Sequence, residues 1–368
     1  MRIGLYAPGM TSGAPSGVER YVAEFVKALA GLDSGHEFIL FSDGAAPPPI
    51  RWVPLPQMGW FRRLRSDRGG FSRLARRERL DLVHCTKSSV PPGLDCPAVV
   101  TVFDVIFRRH PEFYPAWWRW YWNRQLRKSV RRAAEVICIS ERTARDLEEF
   151  FPECRGRLQA IPLGVGPEFD AISEEAAAEE RRLLGVEGPY ILGVGNLTVR
   201  KNIPRLLEAM EEIRRRHPVR LVWVGALDYG GREILELLER AERSGAARYV
   251  GSVGRASLAA LYRGAMALVY PSRYEGFGLP VLEAMSCGCP VVAAAAGALP
   301  EVVGEAGLLV EPDSASGLAA AICRLLEDGN LRAELARKGR ERAGEFSWRR
   351  TAEETLAVYR RVLGMPGS

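Results

Sequence analysis

The stretch from 268 to 301 constrains the fold of this chain more than any other part of the sequence; its letters are LVYPSRYEGFGLPVLEAMSCGCPVVAAAAGALPE. The apolar, β-prone run at 268–270 predicts a strand. After a polar loop, residues 280–287 predict a helix that begins with proline, whose fixed φ is already helical. Gly288 predicts the left-handed residue that ends this helix, and 290–293 predicts the next strand. The sequence therefore predicts a β–α–β unit.

The helix of this unit is expected to begin at a binding site for an anion. Gly276 and Gly278 precede it, and the free backbone N–H groups and dipole of a helix start favour an anion, most naturally a phosphate. Glu275 and Glu283 lie on either side of this site, and carboxylate oxygens accept hydrogen bonds from sugar hydroxyls. The arrangement suits a sugar nucleotide, with one glutamate on the transferred sugar and the other on the ribose. The alternative is a generic crossover with a glycine-rich turn.

These residues resemble a known family. The segment EGFGLPVLE is similar to the E-x7-E signature of the retaining, family 4 glycosyltransferases, and the similarity continues to Glu301. The resemblance implies an α/β protein of the GT-B fold, in which two Rossmann-like parallel-sheet domains face a central cleft. It also implies that the following residues bind the donor: Glu275, Gly276, Phe277, Gly278, Leu279 and Glu283.

The length of 368 residues exceeds what one hydrophobic core usually organises, so we expect two domains. Short apolar runs alternate with helical and loop segments, which predicts parallel sheets covered on both faces. We assign 1–170 to an acceptor-binding, Rossmann-like domain and 171–348 to a sugar-nucleotide-binding one. The helix at 349–368 is assigned to the first domain, because in relatives such a helix crosses back onto it.

Composition and spacing bound the class of protein. No apolar run approaches the ~20 residues of a membrane-spanning helix, and the start MRIGLYAPGM lacks the apolar region of a signal peptide, so we expect a cytoplasmic protein.

The seven cysteines form no CxxC pair and the four histidines have no metal-ligand spacing, which predicts buried thiols and no zinc site. No two aspartates are separated by one residue, so the Asp-x-Asp pair common in metal-dependent glycosyltransferases is missing. We therefore expect no metal and no cofactor.

The first domain carries three segments that resemble the family. A glycine-rich loop after the first strand leads into SGVERY, and the resemblance implies that Gly17 in it faces the donor diphosphate. Residues 103–115, FDVIFRRHPEFYP, are similar to the family's T-x-H-D and H-P-E-x-Y-P elements, and Ser140 opens a segment similar to S-E-x-T. These matches imply that Phe103, Asp104 and Ser140 line the acceptor and sugar pocket. Phe103 replaces the histidine of many relatives, so any proton transfer at that point is lost.

The second domain carries two adjacent cations directly after a predicted strand at 190–195. Arg200 and Lys201 are positioned to bind a diphosphate at the carboxyl end of this strand, and a solvated charge pair is the alternative. They match the family's R-K-N segment, which implies that Lys201 neutralises the leaving diphosphate. Asn196 stands where several relatives have another phosphate-binding arginine. A turn that contains Val253 resembles the place where relatives hold the nucleobase through backbone groups.

One predicted helix combines aromatic and basic residues in the segment 115–132, PAWWRWYWNRQLRKSVRR. Three interpretations stay open: an interfacial helix on anionic lipid, stacking of the aromatic rings on acceptor sugars, and packing against the first domain with solvated arginines. A second basic stretch at 62–79 adds slight support for the lipid. No RNP, KH or zinc-knuckle pattern accompanies the aromatic residues, so we expect no nucleic acid partner.

The sequence predicts a hexosyltransferase that retains anomeric configuration and needs no metal. It would move a hexose, with mannose as the specific candidate, from a GDP- or UDP-sugar to a nascent glycan or polyprenyl-linked acceptor, with possible peripheral contact to an anionic membrane. The catalytic candidates are Lys201, Arg200 and Glu275. The alternative is a catalytically silent sugar-nucleotide-binding or scaffold subunit, motivated by Phe103 and Asn196. A dinucleotide-dependent oxidoreductase is disfavoured, because no G-x-G-x-x-G follows a strand with an acidic residue about 20 positions later.

Overall fold

The computed structural model describes residues 1–10, 17–44, 50–56, 70–228 and 230–365. The chain divides into two compact units, each described here by itself. Unit 1 consists of Met1–Gly164 and Ser347–Ser368, and unit 2 is the continuous segment Val165–Phe346. Most of the glycine-rich loop before Gly17 and the first part of the basic stretch at 62–79 lie outside the described residues.

Unit 1 is built on a seven-stranded sheet in which all neighbouring strands are parallel. Its strands are β1 Arg2–Ala7, β2 Glu37–Ser42, β3 Arg51–Pro54, β4 Leu82–Cys85, β5 Ala98–Val102, β6 Glu135–Cys138 and β7 Leu158–Ala160. Their order in the sheet is β3-β2-β1-β4-β5-β6-β7. The order reverses direction between β1 and β4, and open parallel sheets bind ligands beyond the carboxyl ends of their strands at such a point.

Unit 2 is built on a six-stranded parallel sheet. Its strands are β8 Tyr190–Val194, β9 Arg220–Val224, β10 Ala247–Gly251, β11 Ala267–Tyr270, β12 Val291–Ala294 and β13 Leu308–Val310. Their order is β10-β9-β8-β11-β12-β13, so the reversal lies between β8 and β11. The predicted architecture of two Rossmann-like parallel sheets is confirmed.

Helices alternate with the strands along the chain. In the first part of unit 1 they are α1 Gly17–Ala30, α2 Gly70–Arg77, α3 Ile106–Arg109, α4 Ala116–Arg132 and α5 Glu141–Phe150. In unit 2 they are α6 Glu168–Ala171, α7 Glu174–Leu183, α8 Ile203–Arg214, α9 Arg232–Arg243, α10 Arg255–Gly264, α11 Leu279–Ser286, α12 Leu299–Val303, α13 Ala315–Glu327 and α14 Gly329–Gly344. The last helix, α15 Trp348–Val362, belongs to unit 1.

Helix α15 packs against α1 and completes the core of unit 1. Ser347 caps its start, because its hydroxyl accepts a hydrogen bond from the Arg350 backbone N–H at 3.1 Å. Leu356, Val358 and Tyr359 on one side of the helix are buried. Helix α15 is therefore amphipathic, and its buried side contributes to the core of unit 1.

The strand–helix–strand unit that opened the sequence analysis forms as predicted. Helix α11 follows Gly278, which has φ +115°, and contains proline in its first turn. Gly288, with φ +71°, follows the end of the helix, and β11 and β12 pair in parallel on either side of it. Because glycine adopts positive φ at little cost, these two positions fix where the helix begins and ends.

The core of unit 2 shapes the carboxyl end of β8. Trp223 on β9 is completely buried, and its indole N–H donates to the carbonyl of Gly195 at 2.9 Å. Gly193 makes room for this ring, because an added Cβ would lie 2.2 Å from Trp223 Cε3. The ring therefore supports the chain directly before the predicted diphosphate-binding cations.

Helix α4 divides its aromatic residues between the core and the surface. Trp118 and Trp122 pack against the hydrophobic core of unit 1, and Trp118 stacks on Tyr114 with ring centroids 4.4 Å apart. Trp117 and Trp120 are 60% and 68% exposed. Packing thus explains part of this segment, and it leaves two indoles at the surface. No helix within the described ranges is long and apolar enough to cross a membrane.

Candidate active site

The predicted cation pair lies in a short 3-10 turn, Val199–Lys201, between β8 and α8. Lys201 is only 6% exposed, and Arg200 is half-buried. Gly195, with φ +139°, lets the lysine side chain run across the strand end, because an added Cβ would lie 2.5 Å from Lys201 Cε. Lys201 is therefore packed into the fold at the end of β8, and the alternative of a solvated charge pair is wrong for Lys201.

Glu275 binds both cations. Its Oε1 lies 2.7 Å from Lys201 Nζ and also forms an ion pair with Arg200 Nη1. Arg200 Nη1 donates a further hydrogen bond to the Tyr274 carbonyl at 2.9 Å. The loop after β11 and the turn after β8 are thus joined by one carboxylate and two cations, at the point where the strand order reverses.

Tyr270, the last residue of β11, completes the cluster. Lys201 Nζ donates to the Tyr270 hydroxyl and lies 4.3 Å from the centroid of its ring. Cation–π contact and a hydrogen bond to the same residue fix the position of the ammonium group. Burial raises the pKa of Tyr270 well above its usual value, so the phenol is neutral.

Burial and charge pairing set the protonation of the two central groups. Burial alone would raise the pKa of Glu275, but the adjacent Arg200 and Lys201 cations hold it at about 2. Burial lowers the pKa of Lys201 to about 8, against the opposing effect of Glu275. At neutral pH the cluster of Arg200, Lys201 and Glu275 therefore contains two cations and one carboxylate, a net charge of +1, which favours an anionic ligand.

The glycine-bearing segment between Glu275 and α11 has the geometry of an anion site. No side chain caps α11; Pro280 has no N–H and the Val281 N–H donates to the Gly278 carbonyl at 2.9 Å, so the backbone N–H groups at the helix start are those of Gly278 and Leu279. An added Cβ at Gly278 would lie 2.7 Å from Leu299, so a larger residue does not fit there. Phe277 is buried and packs against Phe346 with ring centroids 5.9 Å apart. Leu279, the first residue of the helix, is also buried.

Glu283 lies one turn inside α11 and is buried, with 2% exposure. The Tyr262 hydroxyl donates to its Oε2 at 3.2 Å. A buried carboxylate with hydrogen bonds is held in one orientation, which suits a group that positions a ligand hydroxyl. Its contact with a ribose stays a prediction.

Asn196 lies in the loop after β8, which also carries Arg200 and Lys201, and Val253 lies in the turn after β10. Asn196 is exposed; its Nδ2 lies 3.2 Å from Asp228 Oδ2, and its Oδ1 accepts from the Ala226 N–H at 3.3 Å. The amide therefore bridges the loops after β8 and β9. Val253 is half-buried in the turn after β10, directly before α10.

The unit 1 candidates lie at or after strand ends. Gly17 is exposed at the first residue of α1. Asp104 Oδ1 accepts from the Ile106 N–H at 3.1 Å, and Ser140 caps α5 by accepting from the Thr143 N–H at 3.0 Å. Asp104 and Ser140 therefore shape the backbone locally, and their contact with an acceptor stays a prediction.

Phe103 is half-buried and packs edge-on against Tyr21, with ring centroids 5.2 Å apart. Tyr21 in turn joins a buried polar chain that sequence reasoning missed. Its hydroxyl lies 3.1 Å from Thr101 Oγ1, which lies 2.8 Å from His84 Nε2. The Phe103 ring therefore packs against Tyr21, the first residue of this buried polar chain.

Tyr270 and Gly297 are two site residues that the sequence analysis did not name. Tyr270 ends a predicted strand, so its hydroxyl at the carboxyl end was a usable signal. Gly297 has φ +58°, and an added Cβ would lie 2.3 Å from the Glu275 carbonyl oxygen. The Ala298 N–H also donates to that carbonyl at 2.9 Å. Nothing in the local pattern around Gly297 links it to Glu275.

Two Rossmann-like parallel-sheet units in one chain are the architecture of the GT-B class of glycosyltransferase folds. Solved structures of this class resemble the whole chain. Sucrose-phosphate synthase from Thermosynechococcus elongatus matches with a TM-score of 0.83 and 25% identity over 99% of both chains. HepE from Anabaena, solved with UDP and glucose, matches with a TM-score of 0.78 and 20% identity over 98% of this chain and 100% of HepE.

Sequence comparison gives the family. The family model described as Glycosyltransferase Family 4 matches residues 15–169, and the model described as Glycosyl transferases group 1 matches residues 188–328. The O-antigen chain mannosyltransferase B of Escherichia coli is 34% identical over 269 residues, which cover 72% of this chain and 70% of that protein. The chain belongs to the family 4, group 1 glycosyltransferases.

Proposed function

We propose that this glycosyltransferase moves a hexose from a nucleoside-diphosphate sugar to a hydroxyl of a glycan acceptor, and that the product keeps the anomeric configuration of the donor. The observation that carries the proposal is the cluster of buried Lys201 and Glu275 with half-buried Arg200, which lies beside the glycine-opened helix α11. Two fixed cations and a helix start form a complementary site for a diphosphate.

The donor is a GDP- or UDP-sugar, with mannose as the first sugar to test. The structure of HepE with UDP and glucose and the mannosyltransferase name of the Escherichia coli relative support this choice of substrates. The turn at Val253 and the carboxylate of Glu283 are proposed to receive the base and the ribose. Both belong to unit 2, as does the cation cluster.

The chemistry follows from where charge develops. As the bond between the sugar and the diphosphate breaks, the anomeric carbon gains oxocarbenium character and the diphosphate gains negative charge. Preorganised donors and cations stabilise such charge most effectively, and here these are Arg200, Lys201 and the backbone N–H groups of Gly278 and Leu279. We propose that the nucleoside diphosphate departs from one face of the sugar and that the acceptor hydroxyl attacks the same face. A diphosphate oxygen takes the proton of the acceptor hydroxyl.

Donor binding requires an exchange of partners within the cluster. Without ligand, Glu275 neutralises part of the charge of Arg200 and Lys201. A diphosphate that binds the same two cations replaces the carboxylate, and Glu275 is then available to accept hydrogen bonds from the transferred sugar. The cations therefore stay compensated in both states, so neither state leaves a buried charge without a partner.

Transfer itself is proposed to need no metal. The sequence lacks an Asp-x-Asp pair, and the two cations and the helix start supply the positive charge that a divalent ion would otherwise provide. We therefore expect a chelator to leave the rate of transfer unchanged.

The acceptor is proposed to be lipid-linked or a growing glycan, reached at an anionic membrane surface. Exposed Trp117 and Trp120 share a helix side with Arg124 and Arg131, which are also exposed. Positions three, four and seven residues apart lie on one side of a helix, so the indoles and guanidinium groups form a single stripe. Such a stripe suits the boundary between lipid headgroups and acyl chains.

The test is a panel of GDP- and UDP-sugars, screened first by thermal shift and then for release of nucleoside diphosphate. The anomeric configuration of the product is read by NMR. Binding followed by release with retention supports the proposal. Binding without turnover across plausible acceptors would instead favour the silent scaffold subunit, which Phe103 and Asn196 motivate. Binding of no sugar nucleotide would exclude both.

A further inference from the structure

Three residues with different metal-binding side chains meet in unit 2, outside the cluster around Lys201. His217, Cys323 and Glu327 bring one ligand atom each to within 4.8 Å of one another. In the ranges that the structure describes, this is the one such group of His, Cys, Asp and Glu residues. The sequence analysis found no zinc site, because it compared spacings along the chain and His217 lies far in sequence from the other two.

The fold explains how the three residues meet. Cys323 and Glu327 are four residues apart on α13, so they lie on the same side of that helix. His217 follows the end of α8, and its backbone N–H donates to the Ile213 carbonyl at 2.9 Å. Helices α8 and α13 pack against each other, so their carboxyl-terminal ends carry the group together.

The burial of the group is graded from the core to the surface. Cys323 is 5% exposed and belongs to the hydrophobic core of unit 2. His217 is half-buried, and Glu327 is exposed. His217 Nε2 lies 3.0 Å from Glu327 Oε1. The thiol is therefore fixed by packing, whereas the carboxylate is free to adjust its rotamer around an ion.

We propose that His217, Cys323 and Glu327 bind one zinc ion, with water as the fourth ligand. Thiolate, imidazole and carboxylate are the ligand types of zinc, and a set that contains thiolate disfavours magnesium and calcium. Ligand atoms on a tetrahedral zinc lie roughly 3.3–3.8 Å apart, given bond lengths of about 2.0–2.3 Å. The three ligand atoms already lie within 4.8 Å of one another, so shifts of about an ångström bring them to this spacing.

Binding has a defined proton and charge balance. The Cys323 thiol loses its proton to the buffer and binds as thiolate, and His217 binds as the neutral imidazole. Arg216 Nη2, which lies 2.7 Å from Glu327 Oε1, leaves that oxygen for solvent. The ion replaces this exposed ion pair, which is weak because both partners are solvated.

The site is structural with respect to the proposed reaction. Lys201 precedes α8 and His217 follows it, so the twelve residues of the helix separate them by about 18 Å. At its start, α8 is already tied to the chain before α13, because Asn202 Nδ2 donates to the Pro312 carbonyl at 2.6 Å. A zinc ion would join the other ends of the same two helices.

The first experiment uses Co²⁺ alone as a spectroscopic probe on the full, metal-free chain. A cobalt thiolate gives a charge-transfer band in the near ultraviolet, so we expect a band that saturates at one equivalent. Cys323→Ser should abolish this band, and His217→Gln should weaken Co²⁺ binding at least tenfold. His110→Gln is the matched control, because His110 lies 3.0 Å from Glu112 in a similar pair without a cysteine. It should bind as the unaltered chain does.

The second experiment uses Zn²⁺ alone and thermal unfolding. At a free concentration of 100 times Kd, the midpoint should rise by roughly 5 °C or more in the unaltered chain and in His110→Gln. It should not rise in Glu327→Gln, which alters only an exposed side chain and so is expected to fold. A missing thiolate band, or one that persists in both Cys323→Ser and His217→Gln, would overturn the proposal. Failure of sugar transfer would leave these metal readouts unaffected.

Discussion

His84 Nδ1 lies 2.5 Å from the hydroxyl of Tyr359, which follows it by 275 residues along the chain. The other ring nitrogen, Nε2, lies 2.8 Å from Thr101 Oγ1. Both His84 and Tyr359 are completely buried. The contact joins β4 to α15, so one imidazole links the sheet of unit 1 to the helix that completes it.

Burial of this imidazole predicts an acid sensitivity of unit 1. Burial lowers the pKa of His84 from 6.5 to about 3. Between these values the unfolded chain binds a proton at His84 and the folded chain does not, so the free energy of unfolding falls as the pH falls. The loss should reach about 2 kcal/mol at about pH 5. Urea unfolding at several pH values measures it.

The control for this prediction compares slopes. His84→Gln should reduce the dependence of the unfolding free energy on pH below about 6.5, whatever its effect on absolute stability. The unaltered chain gives the reference slope. An equal slope in His84→Gln would show that His84 is not the group responsible.

The two halves of the proposed donor site should respond differently to substitution. Lys201→Ala should mainly slow transfer, by about 10² to 10³ in kcat, because it removes charge stabilisation of the leaving diphosphate. Glu283→Ala should mainly weaken donor binding, with an increase in KM of tenfold or more and a smaller change in kcat. Initial rates at varied donor concentration separate the two effects.

Lys338→Ala is the control for these rates, because Lys338 forms a surface ion pair with Glu334. It should leave kcat and KM unchanged. Thermal midpoints establish that each variant is folded, and Glu283→Gln keeps the volume of the buried side chain. Equal and negligible effects of Lys201→Ala and Glu283→Ala would remove the proposed site.

Exchange of partners in the cluster predicts an unusual gain of affinity. Glu275→Gln removes the carboxylate that competes with a diphosphate for Arg200 and Lys201, and Arg200 stays charged in the variant. GDP or UDP should therefore bind several-fold more tightly, while transfer is lost because the sugar is no longer oriented. Calorimetry near neutral pH measures the affinity.

Glu305→Gln, at an exposed position, is the matched loss of one negative charge and should not change nucleoside diphosphate binding. Weaker binding by Glu275→Gln than by the unaltered chain would mean that Glu275 organises the cations and does not compete with the ligand.

The affinity for nucleoside diphosphate should fall as the pH rises through about 8. The pKa of Lys201 is lowered to about 8 by burial, so above this pH the ligand-free site loses one positive charge. In Lys201→Arg the charge persists, because arginine does not titrate in this range, and the fall should disappear. Calorimetry between about pH 7 and 9.5 avoids protonation of the ligand phosphate, whose pKa is about 6. A fall of the same size in Lys201→Arg would assign it to another group.

The surface stripe of α4 predicts binding to anionic membranes. Trp117→Ser combined with Trp120→Ser should reduce binding to vesicles that contain an anionic lipid by tenfold or more, since each exposed indole is lost from the interface. Co-sedimentation measures the bound fraction. Trp52→Ser is the control, because Trp52 is also exposed, at 43%, but lies on β3. Equal vesicle binding by the unaltered chain and the Trp117→Ser, Trp120→Ser variant would exclude the stripe as the membrane contact.

Local signals were sufficient for much of the fold. Glycine and proline mark both ends of α11, and apolar runs flank it, so the strand–helix–strand unit was predictable to within a residue or two. Strands β3 and β13 were missed. They have four and three residues, and β3 is largely exposed, so their pairing with β2 and β12 comes from the sheet and not from a local pattern.

The residues of the candidate site were predictable where a motif carried them, as with Lys201 and Glu275. The ion pair between these two residues was not predictable, because a motif identifies each residue but does not show which charged groups from neighbouring loops contact each other. The same limit applies to His84 with Tyr359, whose contact depends on the return of α15 to unit 1. Contacts between distant segments therefore needed the structure.

The chain enters unit 2 only after 164 residues of unit 1 and returns to unit 1 at Ser347. During synthesis, unit 2 emerges from the ribosome as one uninterrupted segment and is able to fold at once. The earlier portion of unit 1 lacks the partner of α1 and His84 until the helix at 348–362 has left the exit tunnel. We therefore expect unit 2 to complete its core before unit 1 does, although unit 1 begins first.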